Sequence, residues 1–257
     1  MERRFILKDN GLQIPCVLNE PEYCTVRRCV IGIHGICGSK DSRILVDIAD
    51  EMGLFGAATL RFDFPAHGDS PITEISLEQC RQTLEAVVRW AKRAYPYVDM
   101  CLFATGFGAF VTLVSLDELR YIQENLKLVF QTPDLNMSDT VLRAVHMTEE
   151  QLRQTDRGVI GAGFERPVEV NYRFYEELQN QVVYYSYHMP MLLLHGELDE
   201  LVPISHIEPF RRFNEESRLV VIPGADHQFR GYGNWDMVVD LTRDWFECEQ
   251  VLLCDYV

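Results

Sequence analysis

The feature that most constrains the fold is a repeated alternation of short apolar runs with longer amphipathic segments. This alternation is typical of parallel strands joined by crossover helices. We therefore predict an α/β fold with a mostly parallel twisted sheet and helices on both faces. The predicted strands are Arg28–Ile33, Ala57–Phe62, Met100–Phe103, Leu126–Gln131, Met191–Leu194 and Arg218–Ile222.

The segments between these runs predict helices. The clearest is Leu77–Ala94, where the apolar residues follow the spacing of one helical stripe. Before the first parallel strand, Glu2–Leu7 and Leu12–Leu18 flank a turn with Asn10-Gly11, which predicts an antiparallel hairpin at a sheet edge. The other predicted helices are Ser42–Met52, Ala109–Leu116, Pro209–Asn214 and Trp235–Leu252.

One segment, from about Asp134 to Tyr187, interrupts the alternation with polar helical pieces and a Gly-rich turn. We interpret it as a cap inserted into a single domain that spans residues 1–257, since 257 residues can bury one sizeable core. Such a cap would lie over the carboxyl ends of the strands, where α/β sheets bind ligands. Ordinary packing accounts for most of its aromatic residues, which are Tyr172, Phe174, Tyr175, Tyr184, Tyr185 and Tyr187.

Composition narrows the possible partners. The formal net charge of −15 disfavours nucleic acid and anionic membranes, because both would be repelled. The N-terminal residues lack the apolar core of a secretory signal, and no run approaches the ~20 apolar residues of a membrane span. We expect a cytoplasmic monomer or homodimer. The 8 scattered cysteines favour reduced thiols over a disulfide framework or a metal site.

Five short segments occur in an informative order along the chain. The segments are IGIHGICG (31–38), RFDFPAHGDS (61–70), LFATGFGA (102–109), HGELDELVP (195–203) and VIPGADH (221–227). They resemble motifs of the α/β-hydrolases, in particular the serine aminopeptidase-like and cinnamoyl (feruloyl) esterase-like branch. The resemblance runs from His34 to His227 and leaves out the cap.

The third segment departs from the family at the position that matters most. It aligns with the strand-turn-helix motif G-x-S-x-G, and Gly106 stands where the resemblance places the serine nucleophile. A serine there is held in a strained turn, whereas glycine adopts the same backbone without strain. The chain is thus expected to lack the covalent nucleophile, at a cost of roughly 10⁶-fold in kcat by analogy with triad enzymes.

The other segments supply the remaining parts of a serine-hydrolase site. The resemblance implies that Asp199 orients His227 and that the backbone amides of Ile36 and Phe107 form an oxyanion hole. In the second segment, Ala66 replaces the family's first glycine. That segment is mainly structural in the family, so we assign no catalytic role to its charged residues and histidine, namely Asp63, His67 and Asp69.

The resemblance implies hydrolysis of small carboxylic esters, either short-chain or hydroxycinnamoyl, without a cofactor or metal. The missing serine predicts weak or absent activity. Three interpretations stay open: an engineered inactive variant, a non-catalytic protein that binds a ligand or partner, or an enzyme with another nucleophile. For the last, the candidates are water activated by His227 and the Cys37 thiol, while Thr105 projects in a different direction from the elbow.

Overall fold

A computed structural model describes residues 1–161 and 166–248 of the chain. Its centre is an eight-stranded sheet in the order β1-β2-β4-β3-β5-β6-β9-β10. Only β2 runs in the opposite direction to the other seven strands of this sheet, so the predicted mostly parallel sheet is confirmed. The strands are β1 (Glu2–Asp9), β2 (Leu12–Asn19), β3 (Arg28–Ile33), β4 (Ala57–Phe62), β5 (Asp99–Thr105), β6 (Leu126–Gln131), β9 (Met191–Gly196) and β10 (Arg218–Ile222).

Helices cover both faces of this sheet, because successive residues of the central strands are apolar on both sides. The helices are α1 (Arg43–Leu54), α2 (Leu77–Ala94), α3 (Phe107–Val114), α4 (Leu116–Ile122), α5 (Met137–Val145), α6 (Glu149–Thr155), α7 (Tyr172–Gln179), α8 (Ile207–Phe213) and α9 (Asn234–Glu247). In β3, Ile31 belongs to the buried cluster that contains Leu84 of α2, and Val30 belongs to a second buried cluster that contains Trp245 of α9.

The segment between β6 and β9 adds no described strand to the central sheet. It contains α5, α6 and α7 together with a separate antiparallel pair, β7 (Gly158–Ile160) and β8 (Val168–Val170). Aromatic packing joins the segment to the body of the protein: the rings of Phe174 and Phe107 lie 5.9 Å apart between centroids. The segment therefore sits next to the start of α3, at the carboxyl ends of the strands.

The predicted boundaries differ from the observed ones mainly at strand and helix ends. The helix predicted at Ala109–Leu116 begins at Phe107, because the turn at Gly106 leads directly into it. The last helix ends at Glu247, and the predicted part beyond Cys248 lies outside the described residues.

The expectation of reduced thiols holds for six described cysteines and is wrong at Cys248, which is disulfide-bonded. Within residues 1–161 and 166–248, no helix combines the length and apolar character needed to cross a bilayer.

Candidate active site

Gly106 forms a sharp turn between β5 and α3. Its backbone angles are φ 46° and ψ −112°, a combination that side chains rarely adopt. The Gly106 amide donates to the Gln131 carbonyl at 3.0 Å, which ties the turn to the end of β6. A Cβ at Gly106 would have only the Thr132 carbonyl oxygen near it, at 4.0 Å. The turn therefore keeps the shape of a nucleophile elbow, with open space where the side chain would project.

Gly108, two residues further on, is glycine for a different reason. A Cβ there would lie 2.6 Å from the carbonyl oxygen of His34, well inside the contact distance. A Cβ on Gly35 would likewise lie 3.2 Å from Thr105 Oγ1. These glycines let the first turn of α3 press against the loop after β3, and this contact brings the two predicted oxyanion-hole donors to one place.

Asp199 and His227 are joined by a hydrogen bond of 2.9 Å between Oδ2 and Nδ1. The dyad comes from two neighbouring parallel strands, since Asp199 follows β9 and His227 follows β10. A carboxylate can only accept, so Nδ1 carries the proton that this bond uses. The neighbouring acids are placed differently: Asp226 binds Arg230 at 2.7 Å, and the side chain of Glu200 is exposed.

The Asp199 carboxylate is held in its charged form. Complete burial of its side chain would raise the pKa, but hydrogen bonds outweigh this effect and lower the pKa below its usual value. The bonds come from His227 and from the backbone amides of Leu201 and Val202, which donate to Oδ1 at 3.0 and 2.8 Å. An acid fixed in this way can orient an imidazole and stabilise its protonated form.

Gly106 and His227 line the same cavity, which has a volume of about 370 Å³. Ile36 and Phe107 line it as well. Neither of their amides is bonded to another turn or loop group in the described part of the chain, and Phe107 is the first residue of α3, where amides lack helical partners. Both residues thus line the cavity with amides that have no backbone partner in the turns or loops of the described residues. The remaining wall is largely apolar and includes Ile44, Met137, Leu201, Val202 and Trp235.

The second motif contacts the loop after β3. His34 Nε2 accepts from the Phe64 amide at 3.1 Å, and its Nδ1 lies 2.7 Å from the Gly35 carbonyl. Burial lowers the pKa of His34 to about 4, and burial together with the neighbouring His34 lowers that of His67 to about 3. Both rings are therefore neutral structural groups near neutral pH.

Two further details of this loop follow from local contacts. Asp63 accepts from the Lys40 amide at 2.7 Å and from Lys40 Nζ at 2.9 Å, so it is a buried anchor for the loop. Ala66, which replaces the glycine of the family motif, has φ 64°. The turn has therefore kept the backbone conformation that favours glycine although the residue has changed.

Cys37 lines the cavity but has the properties of an unreactive thiol. Its Sγ–H donates to the Ile160 carbonyl at 3.3 Å. Burial raises the pKa of the thiol to about 12, so the nucleophilic thiolate is scarce near neutral pH. This environment counts against Cys37 as a relocated nucleophile.

The polar residues that line the cavity and that the sequence analysis did not select include Gln131, Thr132 and Asp134. Burial raises the pKa of Asp134, whose carboxylate accepts from the Asn136 amide at 3.2 Å. Their position at the end of β6 and directly after it is the signal that could have identified them, because ligands bind at the carboxyl ends of parallel strands. By contrast, none of the six aromatic residues singled out in the predicted cap lines the cavity. Its aromatic lining is Phe107 and Trp235.

The residues described here contain no group of three or more histidine, cysteine or acidic side chains placed to hold a metal ion.

Comparison with known proteins finds similarity in structure only. No protein-family model matches the chain, and no curated protein matches it in sequence. Est1E from Butyrivibrio proteoclasticus with bound ferulic acid superposes with a TM-score of 0.80 at 22% identity, covering 94% of this chain and 97% of that one.

Two other solved structures agree with this result. A hydrolase described as putative from Agrobacterium vitis has a TM-score of 0.80 at 16% identity, with 96% and 99% of the two chains covered. The esterase domain of a Rhodothermus marinus protein has a TM-score of 0.73 at 19% identity, with 95% and 97% covered. With the sheet order and the turn at Gly106, these similarities show that the chain has the α/β-hydrolase fold.

Proposed function

We propose that this protein carries the site of a carboxylic ester hydrolase in which the nucleophile alone is missing. The site takes small esters, short-chain or hydroxycinnamoyl, and hydrolyses them weakly or not at all because Gly106 replaces the serine. Its other parts would be His227 as the general base, Asp199 as the carboxylate that orients it, and the amides of Ile36 and Phe107 as the oxyanion hole.

The observation that carries this proposal is the geometry of Gly106. The turn keeps φ 46° and ψ −112°, and a side chain there would enter open space beside the dyad. If the whole site had lost its function, we would not expect these features to persist together. They are the open space at Gly106, the bond between Asp199 and His227, and the position of Ile36 and Phe107 at one cavity. Preorganised donors of this kind are usually the largest contribution to ester hydrolysis.

The substrate class is supported by the shape and lining of the cavity. Its volume of about 370 Å³ suits a small acyl group, and its walls are largely apolar with Phe107 and Trp235 as aromatic surfaces. Est1E, which has the same fold, binds ferulic acid. An aromatic acyl group is therefore a suitable first probe, alongside short p-nitrophenyl esters.

Restoring the nucleophile tests the proposal. We expect Gly106→Ser to hydrolyse p-nitrophenyl acetate or methyl ferulate at least 10³-fold faster than the chain as given. Gly106→Ala is the matched control, because it adds the same Cβ and the same backbone strain without the hydroxyl. A folded Gly106→Ser protein with no more activity than Gly106→Ala would contradict the proposal.

A second candidate function is binding without catalysis. It is favoured by the absence of a reactive group at the elbow and by the unreactive environment of Cys37. A ligand that binds to the chain as given and is recovered unchanged, with no gain of hydrolysis in Gly106→Ser, would favour this candidate.

A further inference from the structure

Two arginines lie at the exposed rim of the cavity, although the chain as a whole is acidic. Arg43 and Arg230 both line the cavity, and their side chains are 79% and 74% exposed. Asp and Glu outnumber Lys and Arg in the chain by 39 to 24. Among the described residues that line the cavity, however, Asp134 is the single acid, and burial raises its pKa. The lining of the cavity is therefore more positive than the average surface of this protein.

Each of the two arginines is held by an acid at the i,i+4 spacing. Arg43 Nε donates to both carboxylate oxygens of Asp47 at 2.9 Å, and Arg230 Nε donates to Asp226 Oδ2 at 2.7 Å. Neither Asp47 nor Asp226 lines the cavity. Both acids thus hold their arginine through its Nε atom, and the guanidinium groups form part of the cavity lining.

The Nη atoms of both arginines are available to a ligand. Neither Arg43 nor Arg230 uses an Nη atom in a hydrogen bond within residues 1–161 and 166–248. The two parallel N–H groups of the Nη atoms match the two oxygens of a carboxylate, which is the bidentate geometry that arginine favours. Each arginine can therefore keep its own acid at Nε and bind an anion through its Nη atoms.

The same two acids connect the arginines to other parts of the site. Asp47 also accepts from Trp235 Nε1 at 2.5 Å, and Trp235 is one of the aromatic walls of the cavity. Asp226 accepts from the backbone amides of Gln228 and Arg230 at 3.1 and 3.0 Å, which fixes the loop directly after His227. The cationic groups thus adjoin an apolar wall. A ligand with an apolar body and an anionic end suits this arrangement.

We propose that the ligand of this cavity carries a carboxylate at the end that reaches the rim, where Arg43 and Arg230 bind it. The inference rests on the proposed function, because it places the ester group of the ligand at Gly106 and at the amides of Ile36 and Phe107. It narrows the substrate class to small esters with an apolar body and a carboxylate remote from the ester bond. Such a carboxylate is charged near neutral pH, so binding requires no proton transfer.

Matched pairs of ligands test the carboxylate. Monomethyl succinate and methyl levulinate share the methyl ester and the carbon chain, and a methyl ketone in levulinate replaces the carboxylate. Monomethyl adipate and its methyl-ketone counterpart extend the comparison to a longer chain. By NMR titration of the chain as given, we expect the half-ester of at least one pair to bind about fivefold more tightly than the ketone, the size of an exposed ion pair.

Salt provides a second measure of the same contact. The preference for the half-ester should decrease when NaCl is raised from about 20 to about 300 mM, because salt screens exposed charges. Binding of the neutral ketone should stay constant. Equal affinity for the charged and the neutral ligand in both pairs, or a preference that salt does not alter, would overturn the proposal.

Arg43→Gln and Arg230→Gln test the assigned residues. Glutamine stays polar and removes the charge, so thermal unfolding should be nearly unchanged, as is usual for surface substitutions. We expect each variant to weaken half-ester binding about twofold to threefold. The double variant should lose the preference while it binds the ketone as before.

Arg173→Gln is the matched control for these variants. The Arg173 side chain is 82% exposed and its Nε lies 3.3 Å from Glu177 Oε1 at the same i,i+4 spacing, but Arg173 does not line this cavity. Half-ester binding should be unaltered in this control. An unchanged preference in the double variant, or an equal loss in Arg173→Gln, would overturn the assignment of Arg43 and Arg230.

The outcomes separate this inference from the proposed function, because binding to the chain as given needs no nucleophile. Gain of hydrolysis in Gly106→Ser, combined with equal half-ester and ketone affinity, would remove the carboxylate and leave the hydrolase site intact. A preference that depends on Arg43 and Arg230, combined with an inert Gly106→Ser, would remove the hydrolase proposal and leave a cavity that binds anionic ligands.

Discussion

Two histidine-containing regions of the molecule have opposite surroundings. His34, in the loop after β3, and His67 are buried with their ring centroids 4.9 Å apart, and no described acid is bonded to either ring. His227 is 24% exposed at the cavity and is bonded to a fully buried Asp199. All three belong to sequence motifs of the same family resemblance. The difference shows that burial and a charged partner, rather than the motif, separate a structural imidazole from one suited to proton transfer.

The largest expected effect concerns the acid of the dyad. In the Gly106→Ser background, we expect Asp199→Asn to lower kcat by about 10⁴-fold, because an amide no longer holds the imidazole in the correct tautomer. Steady-state hydrolysis of p-nitrophenyl acetate measures this loss. Glu200→Gln is the control, since it changes the adjacent exposed carboxylate and should keep activity within about twofold. Equal losses in both variants would mean that Asp199 has no special role.

The two glycines of the elbow differ in the space around them, which is open at Gly106 and closely packed at Gly108. We expect Gly108→Ala to lower the free energy of unfolding by about 3 kcal/mol or more, because the added methyl would overlap the His34 carbonyl. Gly106→Ala has no such overlap and should cost about 1–3 kcal/mol from backbone strain alone. Urea denaturation of both variants measures the order. A larger loss of unfolding free energy in Gly106→Ala than in Gly108→Ala would contradict the open space at Gly106.

The buried pair predicts a pH dependence of stability. Because the folded-state pKa values of His34 and His67 lie near 4 and 3, the unfolded chain binds protons more readily below its histidine pKa of about 6.5. Their contribution to stability is complete above pH ~6.5 and is lost as the pH falls towards 4. Each histidine should lower the free energy of unfolding by about 1.4 kcal/mol for every pH unit by which the pH falls in this range.

Denaturation at pH 7, 6 and 5, with NMR titration of the imidazoles, measures this effect. The rings of His34 and His67 should stay unprotonated at pH 5. Titration of all seven histidines of the chain near pH 6.5 would show that the pair is not buried as described.

The sequence predicts the strands and the motif residues of the site better than it predicts the wall of the cavity. The strands and the chain order of Gly106, Asp199 and His227 follow from apolar periodicity and from motif spacing, because both depend on local sequence. The wall formed by Gln131 and Thr132 follows only in part. The end of β6 indicates the region, but which side chains turn towards the cavity depends on the positive φ of 45° at Thr132, which no local sequence pattern encodes.

The aromatic residues of the predicted cap illustrate the same limit. Ordinary packing is the expectation for most of them, and Phe174 and Tyr187 do pack against Phe107 and Phe210. Composition indicates that aromatic surface is present. Only the tertiary packing decides whether a ring faces a ligand or the core.

The smallest expected effect concerns Cys37. In the Gly106→Ser background, we expect Cys37→Ala to change kcat by less than about twofold, because the thiol is bonded to Ile160 and its pKa is raised to about 12. Hydrolysis assays measure the change, and alkylation by iodoacetamide at pH 7.5 should be slow. A loss of activity that parallels a loss of alkylation would instead place the thiol in the reaction.

Covalent labelling tests most directly whether the site lacks only its nucleophile. A fluorophosphonate probe should label Gly106→Ser to about one equivalent, with the adduct on the peptide that contains position 106. Gly106→Ala and the chain as given should remain unlabelled, and hydroxylamine-resistant labelling should disappear when Asp199→Asn is added. A folded Gly106→Ser protein that resists the probe would show that the dyad and the two amides do not form a working site.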